Sequence, residues 1–64
     1  MEKFLTRAKD AFNRDGVIVV KFFRHPMFSM TLTVGRGLIW TECEAELRSI
    51  YARKNGNVEI INLA

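Results

Sequence analysis

Two residue types that often carry chemistry occur once each in this sequence, the histidine His25 and the cysteine Cys43. An imidazole with a pKa of about 6.5 suits a general base or a pH switch. A general base, however, needs a nucleophile or a substrate that further groups hold in place. The neighbours of His25 are Arg24 and Pro26, and no serine, aspartate or cysteine pattern supplies such groups. We therefore expect His25 to lie in a solvated turn or to contact a partner.

Cys43 lies near the predicted start of a helix, where the helix dipole can lower the pKa of a thiol. The carboxylates of Glu42, Glu44 and Glu46 oppose that effect. Free cysteine is among the most frequently buried residue types, so we expect a structural role. No His, Cys and Asp grouping has metal-ligand spacing, and the "GRG" of residues 35–37 is too short to indicate a phosphate-binding loop. The sequence thus predicts no enzyme, no metal site and no cofactor.

The positive charge lies in the N-terminal half of the chain. Residues 1–36 hold seven Lys and Arg against three acidic residues, whereas residues 37–64 hold three against four. Part of this excess forms a stripe at helical spacing, and Lys21 and Arg24 flank two phenylalanines near the methionines of residues 27–30, side chains of the kind that interfaces favour. The candidate partner-binding residues are Lys21, Phe23, Arg24, His25, Met27 and Arg36, and the candidate basic stripe is Lys3, Arg7 and Arg14.

Nucleic acid is the alternative partner for these residues. Lys21 and Phe23 on an open sheet face would supply one phosphate contact and one stacking platform for RNA or single-stranded DNA. The segment "FSMTLTV" does not match the RNA-recognition signature, and a net charge of +3 is small for a dedicated binder. Membrane binding by the first helix is disfavoured, because the apolar stripe that would insert is needed to cover the sheet.

Two helices are predicted from apolar residues that recur with a 3.6-residue period. The first helix ends near Gly16, which suits a left-handed cap position, and its stripe is Phe4, Leu5, Ala8, Ala11 and Phe12. Thr41 and Glu44 have the spacing of a capping box, which predicts the start of the second helix. The stripe of that helix is Cys43, Leu47, Ile50, Tyr51 and the stem of Lys54, and "NG" at residues 55–56 ends it.

Three strands account for the remaining apolar residues. The segment "VIVVKFFR", residues 17–24, is apolar on both faces, which is typical of a central strand. Residues 28–34 alternate between apolar and polar, and Pro26 suits the short hairpin connection between these two strands. Residues 57–63 read as the third strand. If Ile18, Val20 and Phe22 face the helices, the opposite face of the sheet carries Val17, Val19, Phe23, Ser29, Thr31 and Thr33.

These elements predict an α+β fold of one small domain, residues 1–64. The order is α-β-β-α-β, with a three-stranded sheet of order 2-1-3 and both helices packed on one face. The same order is also what remains of a split β-α-β layout whose first strand is missing, which would leave a gap for a partner strand.

The class of the protein follows from its composition. With 48% apolar residues, 27% charged residues and a single cysteine, the chain is expected to fold without disulfides in a reducing cytoplasm. No apolar run is long enough to span a membrane. We predict a small non-enzymatic module that binds another protein, as a regulator or inhibitor of bacterial or phage type. A homodimer through the open sheet face or an edge strand is a further expectation, because such a small sheet leaves apolar surface and unpaired edges.

Overall fold

The computed structural model describes residues 1–25 and 28–62, and for residues 23–25 and 28 it describes the backbone alone. Five elements follow one another in the predicted α-β-β-α-β order. They are α1 (Glu2–Asp15), β1 (Ile18–His25), β2 (Phe28–Val34), α2 (Trp40–Arg53) and β3 (Val58–Ile60). Neither described helix combines the length and the apolar character that crossing a bilayer requires.

The three strands form one antiparallel sheet of order β2-β1-β3, as predicted. β1 is the central strand, as its apolar residues on both faces predict. The register of both strand pairs can be given at Val20, which lies opposite Leu32 of β2 and opposite Ile60 of β3. The pairing of β1 with β2 shifts register between Phe23 and His25, next to the hairpin connection.

Both helices pack on the same face of the sheet. The buried core combines the predicted helix stripes with alternate strand residues, and it consists of Phe4, Leu5, Ala8, Ala11, Ile18, Val20, Val34, Cys43, Leu47, Ile50 and Ile60. Aromatic pairs join the two helices at both ends, with ring centroids 5.1 Å apart for Phe4 and Tyr51 and 6.1 Å apart for Phe12 and Trp40. The helices therefore run antiparallel above the sheet, and Trp40 packs against the core.

The helix ends confirm one predicted cap and correct another. α1 ends at Gly16, whose φ of 75° is left-handed and whose N–H donates to the carbonyl of Phe12. α2 begins at Trp40 rather than at Thr41, so the predicted Thr41 capping box is wrong. The carboxylate that caps the first turn belongs to Glu42, which accepts a 3.3 Å hydrogen bond from the N–H of Ile39. The predicted partner, Glu44, instead lies 3.5 Å from Arg48 one turn later.

The third strand is shorter than predicted, because it covers Val58–Ile60 rather than residues 57–63. Beyond it, the N–H of Ile61 donates to the carbonyl of Val19 over 3.0 Å. The side-chain amide of Asn62 then extends the pairing, since its Oδ1 accepts from the N–H of Val19 and its Nδ2 donates to the carbonyl of Val17, both over 3.0 Å. The same Nδ2 donates to Asp15 Oδ2 over 2.8 Å. One side chain thus ties the end of the chain to the start of β1.

Candidate binding surface

The face of the sheet opposite the helices, called the outer face below, carries the odd-numbered residues of β1 and β2. Alternation along the strands places them there, because the even-numbered Ile18 and Val20 enter the core. The pairing sets Val19 opposite Thr33 and Lys21 opposite Thr31. By register, the described strand side chains of this face are Val19, Lys21, Ser29, Thr31, Thr33 and Glu59. The predicted placement of Val19 on one face with the polar residues of β2 is therefore confirmed. Val17 precedes β1 and the side chain of Phe23 falls outside the described structure, so their predicted place on this face stays a prediction.

The outer face has a mixed chemical character. Lys21 lies at its centre, half-buried between Thr31 on one neighbouring strand and Glu59 on the other. A cation and a carboxylate in cross-strand positions attract each other, so the face carries little net charge. Val19 is half-buried beside them. This mixture of apolar groups, hydroxyl groups and one residue of each charge resembles a protein contact surface more than a phosphate-binding one.

The two edges of the sheet differ in how well they are protected. β3 is only three residues long and carries the charged Glu59 between the half-buried Val58 and the buried Ile60. β2 is seven residues long and has no charged residue and no proline. Residues 29–33 are five successive exposed positions of β2. Natural edge strands are usually guarded by shortness, charge or proline, and in the described structure only β3 has such protection.

Two apolar side chains of β2 point toward the helix side of the sheet without being covered. Met30 and Leu32 pair with Phe22 and Val20, yet they remain 41% and 40% exposed. At the other end of the strand Val34 is buried. The helices therefore cover β1, β3 and one end of β2, and they leave an apolar strip along the middle of the β2 edge.

The candidate basic stripe lies on the other side of the molecule. Lys3, Arg7 and Arg14 are exposed on α1, which covers the face of the sheet opposite Lys21. The guanidinium of Arg14 binds both carboxylate oxygens of Asp15, at 2.9 and 3.0 Å. The basic residues are thus divided between two sides of the described structure, and they do not combine into one patch.

An open groove of about 630 Å³ lies where α1 borders β3. Lys3 and Arg7 line it together with the carboxylates of Glu2 and Glu59. Because two cations and two carboxylates line the groove beside apolar side chains such as Phe4 and Val58, it lacks the uniform positive charge that a phosphate chain requires.

Of the remaining candidate residues, Arg36 is the one whose side chain the structure describes. It is exposed in the turn after β2, where the N–H of Leu38 donates to the carbonyl of Gly35 over 2.9 Å. The backbone of Phe28, where β2 begins, lies at the opposite end of that strand, about 20 Å away for a strand of this length. The backbones of Phe23, Arg24 and His25 belong to β1, whereas their side chains and all of Met27 fall outside the described structure.

Cys43 has the structural environment that its position predicts. The residue is fully buried, and burial raises the pKa of its thiol, with the carboxylates of Glu46 and Glu42 adding to the rise. A raised pKa keeps the thiol protonated and weakly nucleophilic. Among the side chains that the structure describes, no three of His, Cys, Asp or Glu come close enough together to hold a metal ion.

The sequence analysis placed β2 at an edge of the sheet and predicted that an edge strand could pair, but it did not single out β2 or predict the exposure of Met30 and Leu32. The signal was present, since "FSMTLTV" is a full-length strand without a charge or a proline, which is unusual at an edge. Comparisons with protein-family models, with curated proteins and with solved structures gave no match to this chain.

Proposed function

We propose that this chain is a small non-enzymatic module that regulates or inhibits another protein by binding it through the outer face of the sheet. The observation that carries the proposal is the distribution of charge. The cations of α1 lie on the helix side, while the outer face presents Val19, hydroxyl groups and the opposed pair of Lys21 and Glu59. Interfaces between proteins are depleted of unpaired charge at their centre, whereas nucleic-acid interfaces are rich in it.

The expected partner is a protein surface that packs against Val19 and offers an acceptor to Lys21. A substitution on the outer face is therefore compared with the same charge change on the helix side. Val19→Lys places a long cation on the outer face beside Lys21, and Ala45→Lys places one at an exposed position of α2. Both variants raise the net charge by one, so a difference in partner binding between them reflects the outer face and its Val19 side chain and not the charge of the whole chain.

The test is affinity capture from a bacterial lysate with and without nuclease, followed by titration of the purified partner. We expect a defined protein to be captured after nuclease treatment, to bind Val19→Lys about tenfold or more weakly, and to bind Ala45→Lys like the parent chain. A nucleic-acid binder would behave differently, because either added cation would strengthen binding and rising salt would weaken it steeply. That outcome, or equal binding by both variants, would refute the proposal.

A further inference from the structure

The unprotected edge of β2 has a geometry that suits one particular occupant. The N–H and C=O of Val19 bond toward β3, to Asn62 and Ile61. Successive residues of a strand bond in opposite directions, so Ile18, Val20 and Phe22 bond toward β2, where their partners are even-numbered residues. The backbone groups of Ser29, Thr31 and Thr33 therefore point away from the sheet, at the edge.

We infer that this edge pairs with the β2 strand of a second copy of the chain, which joins two three-stranded sheets into one antiparallel sheet of six strands. The two-fold axis passes midway between Thr31 of one copy and Thr31 of the other, perpendicular to the sheet. This inference goes beyond the proposed function, because it concerns the edge of the sheet and not its outer face.

The β2 strand is complementary to itself in this register. Thr31 lies opposite Thr31 of the second copy, and Ser29 lies opposite Thr33, so that every backbone group at the edge meets a partner. Each of the three odd-numbered pairs supplies two hydrogen bonds, about six in all. No charge opposes its own copy, since β2 contains none.

The side chains match on both faces as well. On the outer face the hydroxyl residues form cross-strand pairs, which are favourable in antiparallel sheets. On the helix side Met30 of each copy lies opposite Leu32 of the other, and these are the two apolar side chains of β2 that are left 41% and 40% exposed. A two-fold axis perpendicular to the sheet also keeps both outer faces on one side, so the dimer presents them as one continuous surface.

The other edge does not offer the same pairing. β3 has three residues, and Glu59 at its centre would lie opposite Glu59 of a second copy. Like charges in directly opposed positions are unfavourable. The inference therefore names β2 alone.

The oligomeric state is tested by sedimentation over a range of chain concentrations. We expect a dimer whose dissociation constant rises about tenfold or more in Thr31→Pro, because proline removes an edge N–H that the monomer does not use. Circular dichroism checks that the variant folds. If Thr31→Pro does not fold, Leu32→Lys replaces it, since a side chain that is 40% exposed in the monomer tolerates a charge there but not at a dimer contact.

The register is tested separately by oxidative cross-linking in a Cys43→Ala background, which removes the only native thiol. Directly opposed residues of a hydrogen-bonded pair lie about 5.5 Å apart at Cα, within disulfide reach. Thr31→Cys should therefore form a covalent dimer, whereas Ser49→Cys, at an exposed position of α2, should not. A chain that stays monomeric at the highest concentrations, a dimer unaffected by β2 variants, or equal cross-linking at both positions would overturn the inference. Loss of partner capture with the dimer intact would count against the proposed function alone.

Discussion

The side chain of Asn62 offers the sharpest test of how this small sheet is held together. Its amide replaces a strand backbone in two hydrogen bonds, accepting from Val19 and donating to Val17. Only one orientation of the amide satisfies both backbone groups, because the N–H of Val19 is a donor and the carbonyl of Val17 is an acceptor. Asn62→Ala removes these two bonds and the 2.8 Å bond to Asp15 together.

The expected loss follows from the number and exposure of these bonds. Each part-buried backbone bond contributes about 0.5–1.5 kcal/mol net, and the exposed bond to the Asp15 carboxylate adds little, so Asn62→Ala should cost about 2 kcal/mol. A 64-residue chain has a total stability of about 3–10 kcal/mol. The variant should therefore lower the melting temperature by about 8–16 °C. Thermal and urea unfolding followed by circular dichroism measure this loss.

Two further variants make the result specific. Asn57→Ala changes an exposed asparagine five residues earlier and should stay within about 0.5 kcal/mol of the parent. Asn62→Asp keeps the size of the side chain but sets a carboxylate against the Val17 carbonyl and Asp15. Its loss should exceed that of Asn62→Ala at neutral pH and shrink in acid, where a protonated carboxyl can donate again. Equal stability of Asn62→Ala and Asn57→Ala would refute the role given to this amide.

Two other predictions concern the packing between β2 and α2. A Cβ at Gly35 would lie 2.9 Å from Cys43 Sγ at a φ of +98°, whereas a Cβ at Gly16 would meet nothing within 4 Å at a φ of +75°. Gly16→Ala should lower the free energy of unfolding by roughly 1 kcal/mol through backbone strain, and Gly35→Ala should lower it clearly more. Part of this difference should vanish in a Cys43→Ala background, because the contact with Sγ is then absent. A double-mutant cycle of unfolding free energies measures this effect. Burial raises the pKa of the Cys43 thiol on folding, so the folded chain holds the thiol proton more tightly than the unfolded chain does. The stabilisation from this protonated thiol is intact below the ordinary thiol pKa of about 8.5 and is lost as the pH rises above it. The unfolding free energy of the parent chain should therefore fall more steeply with alkaline pH than that of Cys43→Ala, and parallel curves would contradict the assignment.

Local patterns were sufficient to predict the sheet order and the core. The apolar character of residues 17–24 on both faces identified a central strand, and the stripes from Phe4 to Phe12 and from Cys43 to Lys54 identified the helix faces that cover it. Even the stem of Lys54 follows the prediction, since its Nζ lies 4.5 Å from the centre of the Phe22 ring. These features depend on periodicity, which a single sequence displays directly.

The features that sequence reasoning missed depend on contacts between distant residues. Asn62 meets Val19 across 43 positions, so no local spacing indicates that its amide will replace strand backbone. The N-cap of α2 was placed two residues late, at Thr41 instead of Ile39, because Thr41 is the better capping residue by type, whereas the carboxylate in reach of the exposed N–H is that of Glu42. The candidate site was predicted least well. A count of charges along the chain does not show that the cations of α1 and Lys21 lie on opposite sides of the sheet.

Apolar burial and backbone hydrogen bonding both contribute to the proposed dimer, and their relative size predicts which β2 variant weakens it more. Full burial of a Leu or Met side chain is worth about 1.5–3 kcal/mol, so covering the exposed two-fifths of Met30 and Leu32 in both copies would yield about 2–5 kcal/mol. Association costs about 4–15 kcal/mol, which this apolar contribution alone does not offset. The backbone hydrogen bonds at Ser29, Thr31 and Thr33 must therefore supply the remainder. Thr31→Pro should consequently weaken the dimer more than Leu32→Lys does, and the reverse order would mean that side-chain contact, and not strand pairing, joins the two copies.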